Sequence, residues 1–358
     1  MHAGTIGRNL SIAPIALPVL IPSSRHSVAL AGGLAILAGL VATALAVGNF
    51  PIGPLDVVRV LWNALGGADA GVDGTARAIV LDVRAPRVAA AVIVGAALAG
   101  AGAAYQGLFK NPLVSPDILG VTAGCALGAG IALLLSLPTG AIQALAFIGG
   151  LLAVGLVVAV GTWIGGRDPV LTLVLTGVVV GSLFGAGVAL VKYVADPYNQ
   201  LPAITFWLLG SFTGALPRDL PAALIPMAMG LVPLVALRWR IDTLALSDDE
   251  ARSLGVPVGL LRLAVIVCAT LVTACAVALA GAIGWVGLVI PHAARLLVGA
   301  PFARLLPLSL VLGAGFMLAV DTLCRTAFGT EVPPGVATAF IGAPVFIGLL
   351  AASFRRSA

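Results

Sequence analysis

The basic residues that could bind an acidic group lie at the edges of long apolar segments. Arg84 and Arg87 are three positions apart in the segment Arg-Ala-Pro-Arg, and Arg325 follows Asp321 at the end of a later apolar run. A guanidinium can bind a carboxylate through two parallel hydrogen bonds, so three such groups around one rim could receive an acidic partner. The same side chains could instead extend their charged ends to a membrane surface.

The most charged segment of the chain is residues 238–262. Within it, Ser247 followed by Glu250 three positions later has the sequence of a helix capping box. Gly255 and Pro257 predict that this helix ends after about two turns. A short amphipathic helix of this kind could dock a soluble partner, although an ordinary solvated loop has the same composition. The residues assigned to the docking helix are Asp248, Asp249, Glu250, Ala251, Arg252, Leu254 and Gly255.

Proline-containing turns are a third feature, and they could serve a protein that moves. They occur at 111–117, 287–295 and 342–344, where apolar runs are expected to end. A proline in a membrane helix leaves one carbonyl without its amide donor and permits a hinge. The hinge candidates are Asn111, Pro112, Pro291 and Pro344.

The sequence contains no motif that would supply catalysis or energy. It has no Walker-type phosphate loop, no Gly-x-Ser-x-Gly and no His-Glu-x-x-His. Its four cysteines lack the spacing of a zinc site and are interpreted as apolar packing residues. No charged residue lies in the middle of a confident apolar span, where ion-coupled transporters place one. We therefore expect this chain to bind no metal ion and no cofactor, and to draw its energy from a partner.

The composition explains why these polar segments stand out. Of the 358 residues, 60% are hydrophobic and only 9% are charged, whereas a soluble domain carries roughly 25% charged residues. Such a chain suits lipid as its solvent, and its 45 glycines allow membrane helices to approach closely. The net charge of +5 is spread over the loops. That distribution is typical of a membrane protein with basic cytoplasmic loops and not of a nucleic-acid-binding patch.

Charge-free intervals of about 20 residues locate the membrane spans. They predict an all-α membrane protein with about ten transmembrane helices. Two of the spans lie within 117–167, divided at Pro138, and a full helix and a short irregular one lie within 263–294, broken near Gly281 and again at Pro291. The remaining spans are 27–50, 88–109, 169–191, 220–237, 305–320 and 335–354.

The basic residues also predict the orientation of the chain. Most of them face the cytoplasm if the N-terminus lies inside, and an even number of spans then returns the C-terminus to the same side. Residues 1–26 show no clean signal peptide and are predicted to be a cytoplasmic tail. A single membrane domain, 27–358, follows the tail, with 238–262 as a cytoplasmic loop.

Two similar segments indicate an internal repeat. Ala97–Gly102 and Ala278–Ile283 are both Ala/Gly-rich, each is expected to end a long helix, and a proline-containing turn follows each. An odd number of intervening helices would give the copies opposite topology, which is an inverted repeat. Coincidence between Ala/Gly-rich segments would explain the similarity equally well.

A series of motifs resembles those of the permeases of the iron-siderophore, haem and cobalamin ABC importers. The match covers nearly all of the chain from about residue 27, and the order and spacing of the motifs make it specific. The chain departs from the family at Ser247, where Gly is usual, and at Pro169, in a segment that is usually more polar. The matching motifs are Arg84 to Arg87, Gly95 to Gly100, Gln106 to Gly120, Glu250 to Gly255, Gly281 to Arg295, Asp321 to Arg325, Glu331 to Gly335 and Gly342 to Pro344.

The resemblance implies a type II ABC importer permease architecture, with ten helices per subunit. A second permease, identical or paralogous, would line the other side of a central pathway. Two cytoplasmic ATPase subunits would dock on 238–262 and hydrolyse the ATP. An extracytoplasmic binding protein would place its acidic residues on Arg84, Arg87 and Arg325. Replacing Arg84 or Arg87 with Glu should then abolish uptake while the protein remains folded.

The family also implies a cytoplasmic gate, which falls at Arg167, Pro169 and Thr172 in this chain. The function predicted from the resemblance is the import of a ferric siderophore across the plasma membrane, with no enzymatic activity in this chain. Haem and cobalamin remain open as cargoes. The rival interpretations are an ion-coupled secondary transporter, a membrane-embedded enzyme and a scaffold that transports nothing.

Overall fold

The computed structural model describes residues 23–48, 50–67, 71, 73–165, 169–327 and 330–357, and no β-strand occurs among them. A π-helical turn (Ile79–Arg84) joins α3 to α4, and 3-10 turns (Pro116–Leu119 and Asp242–Ala245) lie before α5 and α11. The all-α prediction is therefore confirmed. The α-helices are α1 (Ser23–Ala46), α2 (Pro54–Ala64), α3 (Gly74–Ala78), α4 (Ala85–Leu108), α5 (Val121–Leu134), α6 (Thr139–Ile164), α7 (Pro169–Val194), α8 (Gln200–Leu208), α9 (Asp219–Ala236), α10 (Arg238–Ile241), α11 (Asp248–Ser253), α12 (Val258–Ala280), α13 (Val286–Val298), α14 (Phe302–Thr326) and α15 (Pro334–Ser357).

The described residues contain seven helical segments that are long and apolar enough to cross a membrane: α1, α3 with α4, α6, α7, α9, α12 and α14. Three shorter apolar helices, α5, α13 and α15, occupy the remaining predicted spans. The prediction of a helical protein with many membrane spans is thus confirmed. Sequence analysis missed α2 and α8, because helices of 11 and 9 residues are too short to appear as spans. Of the predicted tail 1–26, only residues 23–26 are described, and they belong to α1.

The polar segments gather at two opposite ends of the bundle. Arg87 at the start of α4 contacts Asp321 near the end of α14, so these two helices are antiparallel. We call this end the rim, and define it by Arg84, Arg87, Asp321, Arg325 and Glu331. The opposite end, where α4 finishes and α14 begins, carries Lys110 and the loop 238–262, and we call it the coupling face.

Both described ends of the chain lie at the coupling face. Helix α1 runs parallel to α14, because its last residues accept hydrogen bonds from Arg325 at the rim. Helix α15 starts at the rim beside Glu331 and extends for 24 residues towards the other end. An even number of crossings between the two ends agrees with this arrangement.

Glycines set the closest helix contacts in the core. A Cβ atom placed on Gly95 would lie 2.2 Å from the carbonyl oxygen of Gly313, and one placed on Gly102 would lie 1.9 Å from that of Gly287. These distances are far below contact distance, so α4 can pack on α14 and α13 only without side chains at these points. Because lipid provides no hydrophobic drive between helices, such backbone-to-backbone packing is what holds membrane helices together.

Two short helices start inside the bundle. Helix α5 follows α4, helix α13 follows α12, and each begins after a residue with positive φ: Gly120 at 74° and Trp285 at 69°. Helices α4 and α12 run in opposite directions, so the two long-and-short pairs have opposite topology, as an inverted repeat requires. The predicted boundaries of the repeat were wrong in one copy, because Ala97–Gly102 lies inside α4, which continues to Leu108.

Two of the three predicted proline turns are helical. Pro291 is the sixth residue of α13, and Pro344 lies within α15. The prediction that 287–295 and 342–344 interrupt helices was therefore wrong, as was the break of the eighth span at Pro291. A proline removes one hydrogen bond from a helix but does not end it where neighbouring groups take over the freed carbonyl. The turn at 111–117 is present between α4 and α5.

Candidate functional site

At the rim, Arg84 closes the end of helix α1. Its Nη1 atom donates to the carbonyl oxygens of Leu45 and Ala46 at 2.7 and 2.8 Å, and its Nη2 atom donates to that of Phe50 at 2.5 Å. The last carbonyls of a helix have no partners of their own and carry partial negative charge. Arg84 satisfies them and is only 5% exposed. The π-helical turn that ends at Arg84 joins this residue directly to α4.

The second rim arginine, Arg87, pairs with Asp321. Its Nε and Nη2 atoms lie 3.0 and 2.7 Å from Oδ1 of Asp321, whose side chain has no exposed surface. Nη2 also contacts Glu331 in the segment before α15, and Glu331 accepts a hydrogen bond from Thr213 at 2.9 Å. One guanidinium thus ties α4 to α14 and to the start of α15.

The third arginine, Arg325, reaches the same carboxylate from one turn further along α14. Its Nε atom lies 3.3 Å from Oδ2 of Asp321, and its Nη2 atom donates to the carbonyl of Ala44 at 3.0 Å. The structure therefore brings Arg84, Arg87 and Arg325 together, as the sequence analysis expected of one rim. It also shows that their hydrogen-bonding atoms face the protein's own carbonyls and carboxylates.

The role of these arginines in docking stays a prediction, and their first role is structural. The sequence indicated the position of Asp321 but not its function as the carboxylate shared by two guanidiniums, which accepts hydrogen bonds from Arg87 and forms an ion pair with Arg325. That function needs residues 234 positions apart to meet. Exposed charged groups near the rim are found on α2 and α3, where Arg59 and Asp56 form a solvent-exposed pair at 3.1 Å and Arg77 is exposed, and at the start of α9, where the side chain of Arg218 is 79% exposed.

A cavity of about 510 Å³ opens beside the rim. Trp207 forms part of its apolar wall, and its polar lining comes from Thr139, Gln143, Ser211, Thr213 and Glu331. The side chain of Glu331 therefore belongs both to the Arg87 cluster and to this cavity. Among the described residues no three His, Cys, Asp or Glu side chains come together as a metal ligand set.

On the coupling face, the predicted docking helix is α11. Ser247 accepts a hydrogen bond from the amide of Glu250 at 3.3 Å, and Glu250 accepts one from the amide of Ser247 at 2.8 Å. The predicted capping box is confirmed. The hydrogen bonds from the amide and hydroxyl of Ser247 lower the pKa of the Glu250 carboxyl. Gly255 ends the helix with a φ of 76°, a conformation that favours glycine.

Three contacts hold α11 and its flanks against the bundle. Asp248 accepts two hydrogen bonds from Arg262 at 2.6 and 2.9 Å, which fixes α11 to α12. Lys110, at the end of α4, donates to the carbonyl of Leu246 at 2.5 Å. Asp242, in the 3-10 turn, accepts hydrogen bonds from the first backbone amides of α14. Sequence analysis placed Asp242 and Arg262 in the loop 238–262 but predicted none of these three contacts, because the partners lie 14 to 136 positions apart in the chain.

The outer side of α11 is free of contacts with the rest of the described chain and is mixed in chemistry. Asp249 is 97% exposed and Leu254 is 65% exposed. Arg252 lies between them, paired loosely with Asp249 at 3.3 Å. Ala251 is buried and faces the bundle. An apolar side chain flanked by both signs of charge is what a docking helix offers to a soluble protein.

The gate and hinge candidates fall in different settings. Arg167 lies outside the described residues. Pro169 and Thr172 form the first turn of α7, where proline is well tolerated because that position lacks an intrahelical acceptor. Asn111 accepts a hydrogen bond from the amide of Leu113 at 2.9 Å and so shapes the turn around Pro112. The roles of these residues as gate and hinge stay predictions.

The carbonyl group that Pro291 leaves without a helical donor lies near a side chain of α4 that the sequence did not reveal as its partner. Because proline has no N–H, the carbonyl of Gly287 has no donor within α13. The side-chain amide of Gln106 on α4 lies 3.5 Å from this oxygen and 3.2 Å from the oxygen of Leu288. Gln106 is buried. On either side of Pro344, Gly342 packs on Trp285, and Phe346 packs edge-on against His292.

Comparison with known proteins agrees with this architecture. Residues 35–352 match the model of the FecCD transport family. An iron chelatin transport system permease protein of Helicobacter pylori is 42% identical over 76% of this chain and 82% of its own length. The molybdate import system permease of Haemophilus influenzae is 36% identical over 90% of this chain and 95% of its own. Further relatives are named as cobalamin and hemin permeases.

A solved structure supports the same relationship. It is described as an inward-facing conformation of an ABC transporter assigned to the metal-chelate type, and it superposes with a TM-score of 0.81. The two chains are 35% identical, and the match covers 90% of this chain and 98% of the other. Family, relatives and fold agree: the chain belongs to the FecCD transport family of ABC importer permeases.

Proposed function

We propose that this chain is the membrane subunit of an importer for ferric siderophores, driven by separate ATPase subunits and supplied by a binding protein. The observation that carries the proposal is the exposed helix α11 with the loop that precedes it: α11 is bonded to α12, and the loop is bonded to the end of α4 and to the start of α14. A force applied to α11 and this loop reaches three elements of the membrane domain at once. No residue of this chain is proposed to hydrolyse ATP or to catalyse another reaction, or to hold a cofactor.

The two faces receive different partners in this proposal. The coupling face lies in the cytoplasm and carries one of two ATPase subunits on Asp249, Arg252 and Leu254. Both chain ends then lie in the cytoplasm, and the protein resides in the plasma membrane. The rim faces outward and receives the binding protein, with Arg84, Arg87 and Arg325 maintaining the shape and positive field of the surface.

A second permease, identical or paralogous, completes the pathway. Support comes from α7, whose apolar side chains are exposed along most of its length in the single chain. The exposed members are Leu171, Leu175, Val178, Val179, Leu183 and Leu190. Pro169 and Thr172 start this helix and are the proposed gate together with Arg167. Lipid covers the remaining apolar surface.

The cargo is the part of the proposal that rests on relatives. The Helicobacter pylori relative is named for an iron chelatin, and the solved neighbour for a metal chelate. Haem and cobalamin are the alternatives, supported by the relatives named for them. Molybdate is named for another relative and belongs in the same test.

Transport by the reconstituted complex tests the proposal. Proteoliposomes would contain the chain with its ATPase subunits, and the binding protein would be loaded in turn with a ferric siderophore, haem, cobalamin or molybdate. We expect uptake only with ATP and binding protein, and the highest rate for the ferric siderophore. Uptake by the chain alone along an ion gradient would contradict the class of transporter. A higher uptake rate with another cargo would change the proposed cargo but not the proposed class of transporter.

A further inference from the structure

Helix α14 is held at its first turn by a carboxylate from the coupling face. Asp242 accepts hydrogen bonds from the amides of Phe302 and Ala303, the latter at 3.2 Å. These amides lack partners within the helix, and an anion is favoured at this end by the helix dipole. Pro307 has no N–H for the carbonyl of Ala303, so the first turn of α14 has one helical hydrogen bond fewer. The bonds to Asp242 therefore contribute more to its position.

The other end of α14 is held at the rim. Asp321 lies inside the helix five residues before its end and pairs with Arg87 and Arg325. Through Arg87 the contact continues to Glu331 at the start of α15. A helix of 25 residues is about 37 Å long. One continuous element thus joins the loop that carries α11 to the ion cluster of the rim.

The middle of α14 is a point of close contact. Gly313, about halfway between Phe302 and Thr326, packs on Gly95 of α4, and a Cβ atom on Gly313 would lie 2.4 Å from the carbonyl oxygen of Gly95. Away from this point, side chains separate the two helices: Leu306 and Leu310 lie against Gly100. Because protein interiors are close-packed, sliding at this contact would bring side chains into the backbone, so the contact fixes the position of α14 on α4 at this point.

We propose that α14 is a lever that pivots on the Gly95–Gly313 contact and that Asp242 is the positioning residue through which the loop 238–262 moves α14. The inference rests on the proposed function, because it assigns the two ends of the lever to the ATPase and to the binding protein. Docking of the loaded binding protein shifts the Asp321 cluster, and the shift reaches α11 through α14 and Asp242. In the reverse direction, closure of the ATPase pair moves the rim.

If α14 acts as a lever, stimulation of the ATPase by the binding protein depends on it, whereas assembly of the complex does not. In proteoliposomes with the ATPase subunits, the ratio of the ATPase rate with loaded binding protein to the rate without it reports communication between the faces. Asp242→Asn keeps the size of the side chain and removes its charge. Ala303→Pro removes one of the two donors to Asp242, in the first helical turn, where proline is tolerated.

We expect both variants to lower this ratio by about fivefold or more, the range of ordinary coupling between sites. Thr162→Val, on the exposed surface of α6 and bonded only within its own helix, is the matched control and should keep the wild-type ratio. Thermal unfolding in detergent would be measured for each variant, and Ala303→Pro decides the question if Asp242→Asn does not fold.

A wild-type ratio in a folded Asp242→Asn or Ala303→Pro variant would overturn the lever. If the stimulated and unstimulated rates both fall by the same factor, the ratio is also unchanged, and the loop then only docks the ATPase. Failure of the proposed function itself looks different, since the wild-type complex would then show no stimulation by any loaded binding protein.

Discussion

Arg87 and Asp321 form a two-point ion pair between α4 and α14, with Nε and Nη2 of the arginine 3.0 and 2.7 Å from one carboxylate oxygen. The carboxylate is fully buried, and the arginine side chain is 11% exposed. A pair in this setting contributes most through the cost of breaking it, because the remaining charge is then buried without a partner. We therefore expect mutation of either residue to lower the stability of the protein.

Arg87→Glu should unfold the protein more easily in addition to any effect on docking. The new carboxylate would face Asp321 and Glu331, and loss of one partner of a buried pair costs about 3–5 kcal/mol. Thermal unfolding in detergent measures this, with Arg59→Glu as the control. Arg59 is half exposed in its pair with Asp56, so we expect its replacement to cost less than about 1 kcal/mol. If Arg87→Glu is as stable as the wild type, Arg87 has no structural role, and only its predicted role in docking remains.

Gln106→Leu should weaken the contact between α4 and α13, and Pro291→Ala should compensate for it. The leucine leaves the carbonyl of Gly287 without a donor, at a cost of about 1 kcal/mol. Alanine at 291 restores a backbone N–H for the same oxygen. We therefore expect the cost of Gln106→Leu to be smaller in the Pro291→Ala background, measured by a double-mutant cycle of unfolding free energies. Equal costs in both backgrounds would show that Gln106 does not serve the carbonyl that Pro291 frees.

Acid should release α11 from the bundle. The hydrogen bonds from Arg262 hold the pKa of the Asp248 carboxyl below its usual range, and the usual value for Asp is about 3.9. The stabilisation is complete above that value and is lost as the pH falls further through the depressed pKa. The protection factors of the α11 amides, which are corrected for the intrinsic pH dependence of exchange, should therefore fall below about pH 4.

Asp248→Asn is the comparison for this pH effect. It should show fast exchange already at neutral pH, with a weaker change on acidification. Glu250 also has a lowered pKa and loses stabilisation in the same direction, so Glu250→Gln separates the two carboxyls. If Asp248→Asn and the wild type lose protection over the same pH range and by the same extent, the Arg262 pair does not hold α11.

Gly102→Ala should destabilise the bundle, whereas Gly39→Ala should not. The methyl group at 102 would lie 1.9 Å from the carbonyl oxygen of Gly287, so α4 and α13 would have to separate. Overpacking of this kind costs about 1–3 kcal/mol. No atom lies within 4 Å of a Cβ on Gly39 in α1, and alanine is the better helix former there. The melting temperatures of the two variants in detergent test this prediction. Equal melting temperatures would contradict a tight contact between α4 and α13 at Gly102.

Much of the fold could be predicted from the sequence, because lipid imposes a simple rule on the chain. Segments such as 169–191 and 220–237 contain no charge over the length that a bilayer requires, and they correspond to α7 and α9. The capping box at Ser247 was also predictable, since both of its hydrogen bonds join residues three positions apart.

The contacts of the polar residues were decided by the tertiary structure alone. Nothing local distinguishes a rim arginine that is free to dock from Arg84, whose partners lie 34 to 39 positions away at the end of α1. The partners of Asp242 and of Gln106 are likewise distant in the chain. Because Gln106 reaches the carbonyl groups next to Pro291, α13 continues through this proline, contrary to the expectation that a helix ends there. Composition and local hydrogen bonding determine which segments become helices in lipid, whereas partners for buried charges and freed carbonyls exist only once distant helices have packed.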